Sequence, residues 1–207
     1  MSRQEEWLEY RVCTSMLDTN TYLLYGKNNE CIVVDCGGEA EKIVDITKKK
    51  GYTIKYILLT HTHFDHSGGV SELKNLTNAK IYMPKKEEDF ITTDKNLAVY
   101  VGKDYEKFTP DVLLEGGEKF SLAGYDIEVV ATPGHTIGSL TYLFDSENVM
   151  IVGDTLFKGS YGRVDLPTGN FGDMMKSQHL LFGYEKDYVL LTGHGESTSL
   201  YSEKERW

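Results

Sequence analysis

His61-Thr62-His63-Phe64-Asp65-His66 places three imidazoles and a carboxylate within six residues. Residues of these types at this density form a metal-ligand cluster. Neutral imidazole is the commonest side-chain metal ligand, and His combined with Asp suits zinc and, less selectively, iron or manganese. The plainer reading is a polar turn with solvated histidines. It fits poorly, because the chain has six histidines and three of them crowd here.

The cluster directly follows the apolar run Tyr56-Ile57-Leu58-Leu59-Thr60, and that arrangement repeats downstream. Residues 127–130 run into Thr132-Pro133-Gly134-His135, residues 149–152 into Gly153-Asp154, and residues 189–191 into Thr192-Gly193-His194. Five of the six histidines therefore stand at expected strand exits, where a rigid scaffold fixes ligand directions. A lone histidine at such a place reads as a satisfied core or surface residue, but the coincidence of five does not. His179, inside an expected helix, is read as structural. Five His and two Asp exceed a closed four-coordinate zinc site and fit two metals sharing a ligand. Two metals at close spacing can hold a hydroxide between them and polarise a substrate oxygen. The chemistry indicated is hydrolysis.

The elements that must position these groups are mostly strands. β-Branched and aromatic runs at 10–15, 21–25 and 31–35 predict three strands, with Gly26-Lys27-Asn28-Asn29 as a hairpin loop. Residues 39–50 change to a helical period and stop at Gly51; residues 54–60 then form the strand that delivers the cluster. Strand, helix, strand in this order predicts a crossover and a partly parallel sheet. A short helix at 70–76 and a short strand at 81–83 follow. Residues 85–109 are charged and weakly periodic, predicting a short helix and a loop at the rim of the site. Strands return at 112–114, 119–122, 126–131, 140–144, 149–152 and 188–191, with helices at 173–182 and 199–206. Two sheets packed face to face with helices outside satisfy the pattern.

The totals agree with a soluble enzyme. The 207 residues are read as one domain, 1–207, large enough to bury a core; hydrophobic content of 40% and charged content of 26% are ordinary. A net charge of −10 disfavours a nucleic-acid partner, which needs a basic face. Residues 1–10 have no apolar core of a secretory signal, and no apolar run reaches the roughly 20 residues of a membrane span. The expectation is a cytoplasmic protein with a small-molecule substrate. Cys13, Cys31 and Cys36 fit neither a redox pair nor a zinc half-site and are read as reduced and mostly buried.

In this order over nearly the whole chain, His61-Thr62-His63-Phe64-Asp65-His66, His135, Asp154 and His194 resemble the metallo-β-lactamase superfamily. Thr132-Pro133-Gly134-His135-Thr136, Gly153-Asp154-Thr155-Leu156-Phe157 and Gly193-His194-Gly195 are similar to the glyoxalase II group, which hydrolyses glutathione thioesters. The resemblance implies a four-layer αββα sandwich and two divalent metals, zinc first, with iron or manganese admissible. It also implies a division of ligands: His61, His63 and His135 on one metal, Asp65, His66 and His194 on the other, and Asp154 bridging. Asp65 and Asp154 would be the catalytic carboxylates, with Asp65 steering the proton. Glyoxalase II proteins carry a further helical domain; this chain ends soon after His194, so the single-domain, glyoxalase II-like branch is the expectation. A basic residue near the position of Arg163 helps hold glutathione in that group. Arg163 either clamps a substrate carboxylate or pairs with Asp165 to brace its loop. Asp35 either fixes an imidazole tautomer or caps an Asx turn.

A second resemblance is to iron-dependent persulfide dioxygenases, which have similar ligands and a segment like Gly162-Arg163-Val164-Asp165 but use one iron held by two His and an Asp. A β-lactam hydrolase fits less well, since many of them place Cys where this chain has Asp154. Nuclease members usually add a domain, and a non-catalytic metal module is the weakest reading.

Overall fold

The computed structural model describes residues 11–207, with side chains described from Thr14 onward. The readings of residues 1–10 and of the Cys13 side chain lie outside the described residues.

Two sheets of six strands frame the described chain. The first runs in the order β1 (Arg11–Thr14), β2 (Thr19–Tyr25), β3 (Glu30–Val34), β4 (Thr53–Leu58), β5 (Lys80–Pro84), β6 (Val112–Leu114). The second runs β12 (Thr198–Ser199), β11 (Val189–Thr192), β10 (Val149–Gly153), β9 (Leu140–Phe144), β8 (Tyr125–Ala131), β7 (Lys119–Leu122). Helix α1 (Ala40–Lys49) links β3 to β4, which pair in parallel as the strand–helix–strand order predicts. The short α2 (Phe64–Ser67) lies inside the histidine cluster, and α3 (Val70–Thr77) leads into β5. Helices α4 (Phe171–Phe182) and α5 (Leu200–Lys204) complete the chain.

The layers follow from strands that bury both faces. Every residue of β2, β9 and β10 is buried, and because side chains alternate, each strand feeds two cores. Tyr22 and Leu24 of β2, with Ile32 and Val34 of β3, meet Tyr142, Phe144 and Ile151 between the sheets. The intervening Leu23 and Val33 pack outward on Ile43 and Val44 of α1 and Leu73 of α3. On the far side, Leu143, Met150 and Leu190 cover Leu181 of α4 and Leu200 of α5. Helix, sheet, sheet, helix is the expected αββα order.

Residues 85–109 differ from expectation. Instead of one short helix and a loop, they form three 3₁₀ turns, Lys85–Thr92, Asp94–Asn96 and Ala98–Val101. The first carries Glu87, Phe90 and Ile91 inward. Left-handed Leu97 and Gly102 bracket the third, breaking the α period that a charged, weakly periodic segment would otherwise extend. Cys31 and Cys36 are free and buried, and burial pushes both thiols up to about 12, as inert core residues.

Candidate metal centre

The donors converge because their strands run the same way. β8 is antiparallel to β9, β9 to β10, and β10 is parallel to β11, so the exits of β8, β10 and β11 share one edge of the second sheet. Cross-sheet hydrogen bonds set the β4 exit against them. The Leu140 N–H donates to Thr60 O at 2.8 Å and the Tyr142 hydroxyl to Leu59 O at 2.7 Å. On the other flank, Asn20 N–H donates to Gly193 O at 2.7 Å and the Tyr22 hydroxyl to Thr192 O at 2.7 Å, fixing the turn that carries His194.

Three groups of donor atoms result, each lying within 4.8 Å: His61, His63 and His135; His61, His66 and Asp154; Asp65, His66 and His194. All seven residues predicted from the sequence are brought together, while His179 lies exposed on α4. The Asp154 carboxylate stands between the outer groups, with Oδ2 3.5 Å from His135 Nε2 and 3.6 Å from His194 Nε2, and Oδ1 3.4 Å from His66 Nε2. Ring nitrogens face each other in pairs: His63 Nδ1 and His135 Nε2 at 3.0 Å, His66 Nε2 and His194 Nε2 at 3.2 Å.

The donor set fits metal on two counts. His61 Nε2, His63 Nε2 and Asp154 Oδ1 are buried without a hydrogen-bond partner, a costly state that a coordinated cation relieves. The electrostatics also call for positive charge. Burial, with the neighbouring histidines, keeps His61 and His63 well below the usual imidazole range, hence neutral and ready to ligate. Burial would do the same to His66, but Asp154, Asp65 and Asp35 outweigh it and lift that imidazole to about 10. Burial likewise opposes ionisation of Asp65, yet His66 and His194 hold its carboxyl far below the ordinary range. These clusters are able to bind metal ions.

The surrounding contacts orient the rings. His66 Nδ1 donates to Asp35 Oδ2 at 2.9 Å, leaving Nε2 toward the centre, and His135 Nδ1 donates to the Arg163 carbonyl at 2.8 Å. Asp35 also accepts from the Thr60 N–H and hydroxyl at 2.8 and 2.7 Å, from a left-handed backbone at φ 55°. Of the two readings of Asp35, the imidazole contact is the one formed. Arg163 and Asp165 pair with each other, Nε to Oδ1 and Nη2 to Oδ2 both at 2.8 Å; the bracing contact is formed, and Arg163 reaches the centre through its backbone.

Two residues escaped the sequence reading. The Thr19 hydroxyl donates to Asp65 Oδ2 at 3.2 Å from inside β2. Glu87, fully buried, accepts from the Thr62 N–H at 2.6 Å, from the Gly138 N–H at 3.2 Å and from the Thr136 hydroxyl. It thereby joins the loop of His61 and His63 to the loop of His135. A signal for it existed: Glu87 stands three and four residues before Phe90 and Ile91, on the one apolar side of a charged run.

Gly193 shows how tight the packing is, because a Cβ there would lie 2.0 Å from Asp154 Oδ1 and 2.8 Å from His66 Cε1. Gly193→Ala changes no donor, yet we expect it to lower metal affinity about 10–100-fold, the range for lost outer support. Metal content after dialysis, with circular dichroism to confirm the fold, checks this; full retention of metal would contradict it.

An αββα sandwich with clustered His and Asp donors at one edge is the architecture of a metal-dependent hydrolase. The family model of the metallo-beta-lactamase superfamily matches residues 15–194, and the chain belongs to that superfamily. Among curated relatives, the hydroxyacylglutathione hydrolase GloC of Haemophilus influenzae is 29% identical over 189 residues, 89% of each chain. Among solved structures, the BLEG-1 B3 metallo-beta-lactamase is similar at a TM-score of 0.88 and 31% identity, covering 95% of this chain and 96% of that one. TTHA1623 in a di-iron-bound form gives a TM-score of 0.84 at 28% identity, covering 94% and 96%. No helix of the described residues is long and apolar enough to cross a membrane.

Proposed function

We propose that residues 1–207 form one catalytic domain, a cytoplasmic two-metal hydrolase that cleaves a thioester in a glyoxalase II-like reaction. The observation that carries this reading is Asp154, whose two oxygens face His135 on one side and His66 and His194 on the other at 3.4–3.6 Å. In this reading His61, His63 and His135 hold one divalent metal, Asp65, His66 and His194 hold the second, and Asp154 is shared. Zinc is the first candidate, with iron or manganese admissible in the same donor set. Such a pair supplies, when bound, a water of lowered pKa and an electrophilic contact for a carbonyl oxygen.

The chain's own groups do the rest. Asp65, ionised and standing in the cavity wall beside Phe64, steers the proton of the attacking water by accepting a hydrogen bond from it. Asp35 and the Arg163 carbonyl keep His66 and His135 in the tautomers that turn Nε2 toward the centre. GloC, named as a hydroxyacylglutathione hydrolase, supports the thioester as substrate class.

The test is hydrolysis of S-lactoylglutathione by the purified protein loaded with zinc, beside a chromogenic β-lactam and glutathione persulfide. We expect chelator-sensitive thioester cleavage that returns on adding metal and exceeds any β-lactam turnover. One iron per chain with oxygen uptake on the persulfide, and no thioester cleavage, would overturn the reading in favour of the dioxygenase.

A further inference from the structure

We propose that this site holds its substrate through an uncharged, apolar group flanking the scissile carbonyl, and not through the charged ends of glutathione. The inference rests on the hydrolase reading above and concerns what the cavity recognises.

The centre opens into a cavity of about 630 Å³, the size of a small-molecule site. Beyond the clustered donors, its walls come from separate parts of the chain: Leu17 between β1 and β2, Leu97 just before the third 3₁₀ turn and Tyr100 and Val101 within it, and Phe157 and Leu166 after β10. Leu17, Tyr100 and Val101 are 48%, 69% and 40% exposed. Single exposed apolar side chains are ordinary, but three from two distant segments meeting at one cavity mark a contact surface.

Charge recognition is missing where glutathione would need it. Glutathione presents two carboxylates and an ammonium at neutral pH. Among the described lining residues Arg163 is the one lysine or arginine, and the Nε–Nη2 edge of its guanidinium is taken by Asp165 at 2.8 Å. A substrate carboxylate must displace that partner or share the guanidinium with its negative charge, in a protein of net charge −10. An apolar group displaces nothing, and each methylene it buries strengthens binding by up to about fourfold.

Four non-cleavable thioethers test this, methyl and hexyl on glutathione and on the neutral thiol N-acetylcysteamine, titrated calorimetrically into the metal-loaded full chain. We expect hexyl to bind at least about tenfold more tightly than methyl on either thiol, and exchange of the thiol to change affinity less than about threefold. In the double variant Tyr100→Ser, Val101→Ser, whose side chains are exposed, the gain from methyl to hexyl should fall below about threefold. A flat chain-length series, a tenfold preference for glutathione, or an undiminished gain in the double variant would overturn the inference. Cleavage of the matching acetyl and hexanoyl thioesters, followed in parallel, separates the two claims. Tight hexyl binding without any cleavage sinks the hydrolase reading and supports the apolar cavity, whereas cleavage with glutathione-dependent binding does the reverse.

Discussion

Asp154→Ala should strip the protein of metal at both positions and abolish hydrolysis, with the fold intact. Removing an outer partner of a metal ligand typically costs 10–100-fold in affinity, and loss of a shared ligand should exceed about 100-fold at each position. The reason lies in where the carboxylate sits. Its oxygens face His135, His66 and His194 at 3.4–3.6 Å, and Oδ1 is buried without a hydrogen-bond partner. Truncation removes the carboxylate that stands between His135 and the pair His66 and His194 and leaves those imidazoles without it. His63→Ala makes the contrasting case, since His63 belongs to one donor group only; it should lose metal from one position and activity with it. Metal analysis of both variants beside the wild type, with turnover measured on the same samples, checks the pair. Full metal and full activity in Asp154→Ala would end the two-metal assignment.

Glu87→Ala should destabilise the protein by about 2–5 kcal/mol, because it leaves two buried N–H donors unsatisfied at roughly 1–3 kcal/mol each and removes one of the two partners of a third donor. The orphaned donors are the Thr62 and Gly138 N–H groups, and the third is the Thr136 hydroxyl, which keeps Ser139 Oγ at 2.6 Å; all lie on the two loops that carry His61, His63 and His135. Metal affinity should therefore fall together with stability, although no ligand has changed. The pH dependence has a definite sign. Burial outweighs those hydrogen bonds and pushes the Glu87 carboxyl from 4.5 up to about 7. The folded state thus holds this proton more tightly than the unfolded chain does. The stabilisation is full below pH 4.5 and is lost as pH rises through 7. It amounts to about 3 kcal/mol at the usual conversion per pKa unit. Tyr105 and Tyr142, which feel the Glu87 charge, are themselves pushed upward by burial and stay neutral across that window. Glu87→Gln carries no such proton. Urea unfolding of the metal-free proteins between pH 4.5 and 7 should show the wild type losing stability that the Gln variant keeps, and parallel curves would refute the buried-carboxyl account.

The contrast between Asp154 and Glu87 shows what could be read in advance. The seven clustered residues are of ligand type, and each stands at the exit of an apolar run, so residue chemistry and strand period pointed to one place. Asp35 was also visible, because a carboxylate at a strand exit admits few roles, though its choice between a turn cap and His66 needed coordinates. Glu87 sits in Lys85-Lys86-Glu87-Glu88-Asp89, where every neighbour is a solvated charge. Its spacing to Phe90 and Ile91 is the one local hint; its burial is completed by the loops folded over it, which local propensity does not encode. The same holds for Leu97, Tyr100 and Val101, which line the cavity from the third 3₁₀ turn and the residue before it, an element that a weakly periodic segment does not announce. The sandwich itself was legible because β10, most of β9 and residues 22–25 of β2 are apolar on both faces. Arg163 was ambiguous for a different reason: its partner Asp165 is two residues away, and a sequence cannot say whether such a pair closes on itself.

The most direct test of the central claim is the metal content of the purified chain after exhaustive dialysis, measured by plasma emission against protein concentration. Two equivalents of divalent metal per chain, removed by chelator together with thioester hydrolysis and restored with it, is the predicted result. One equivalent supporting full thioester turnover would contradict the account.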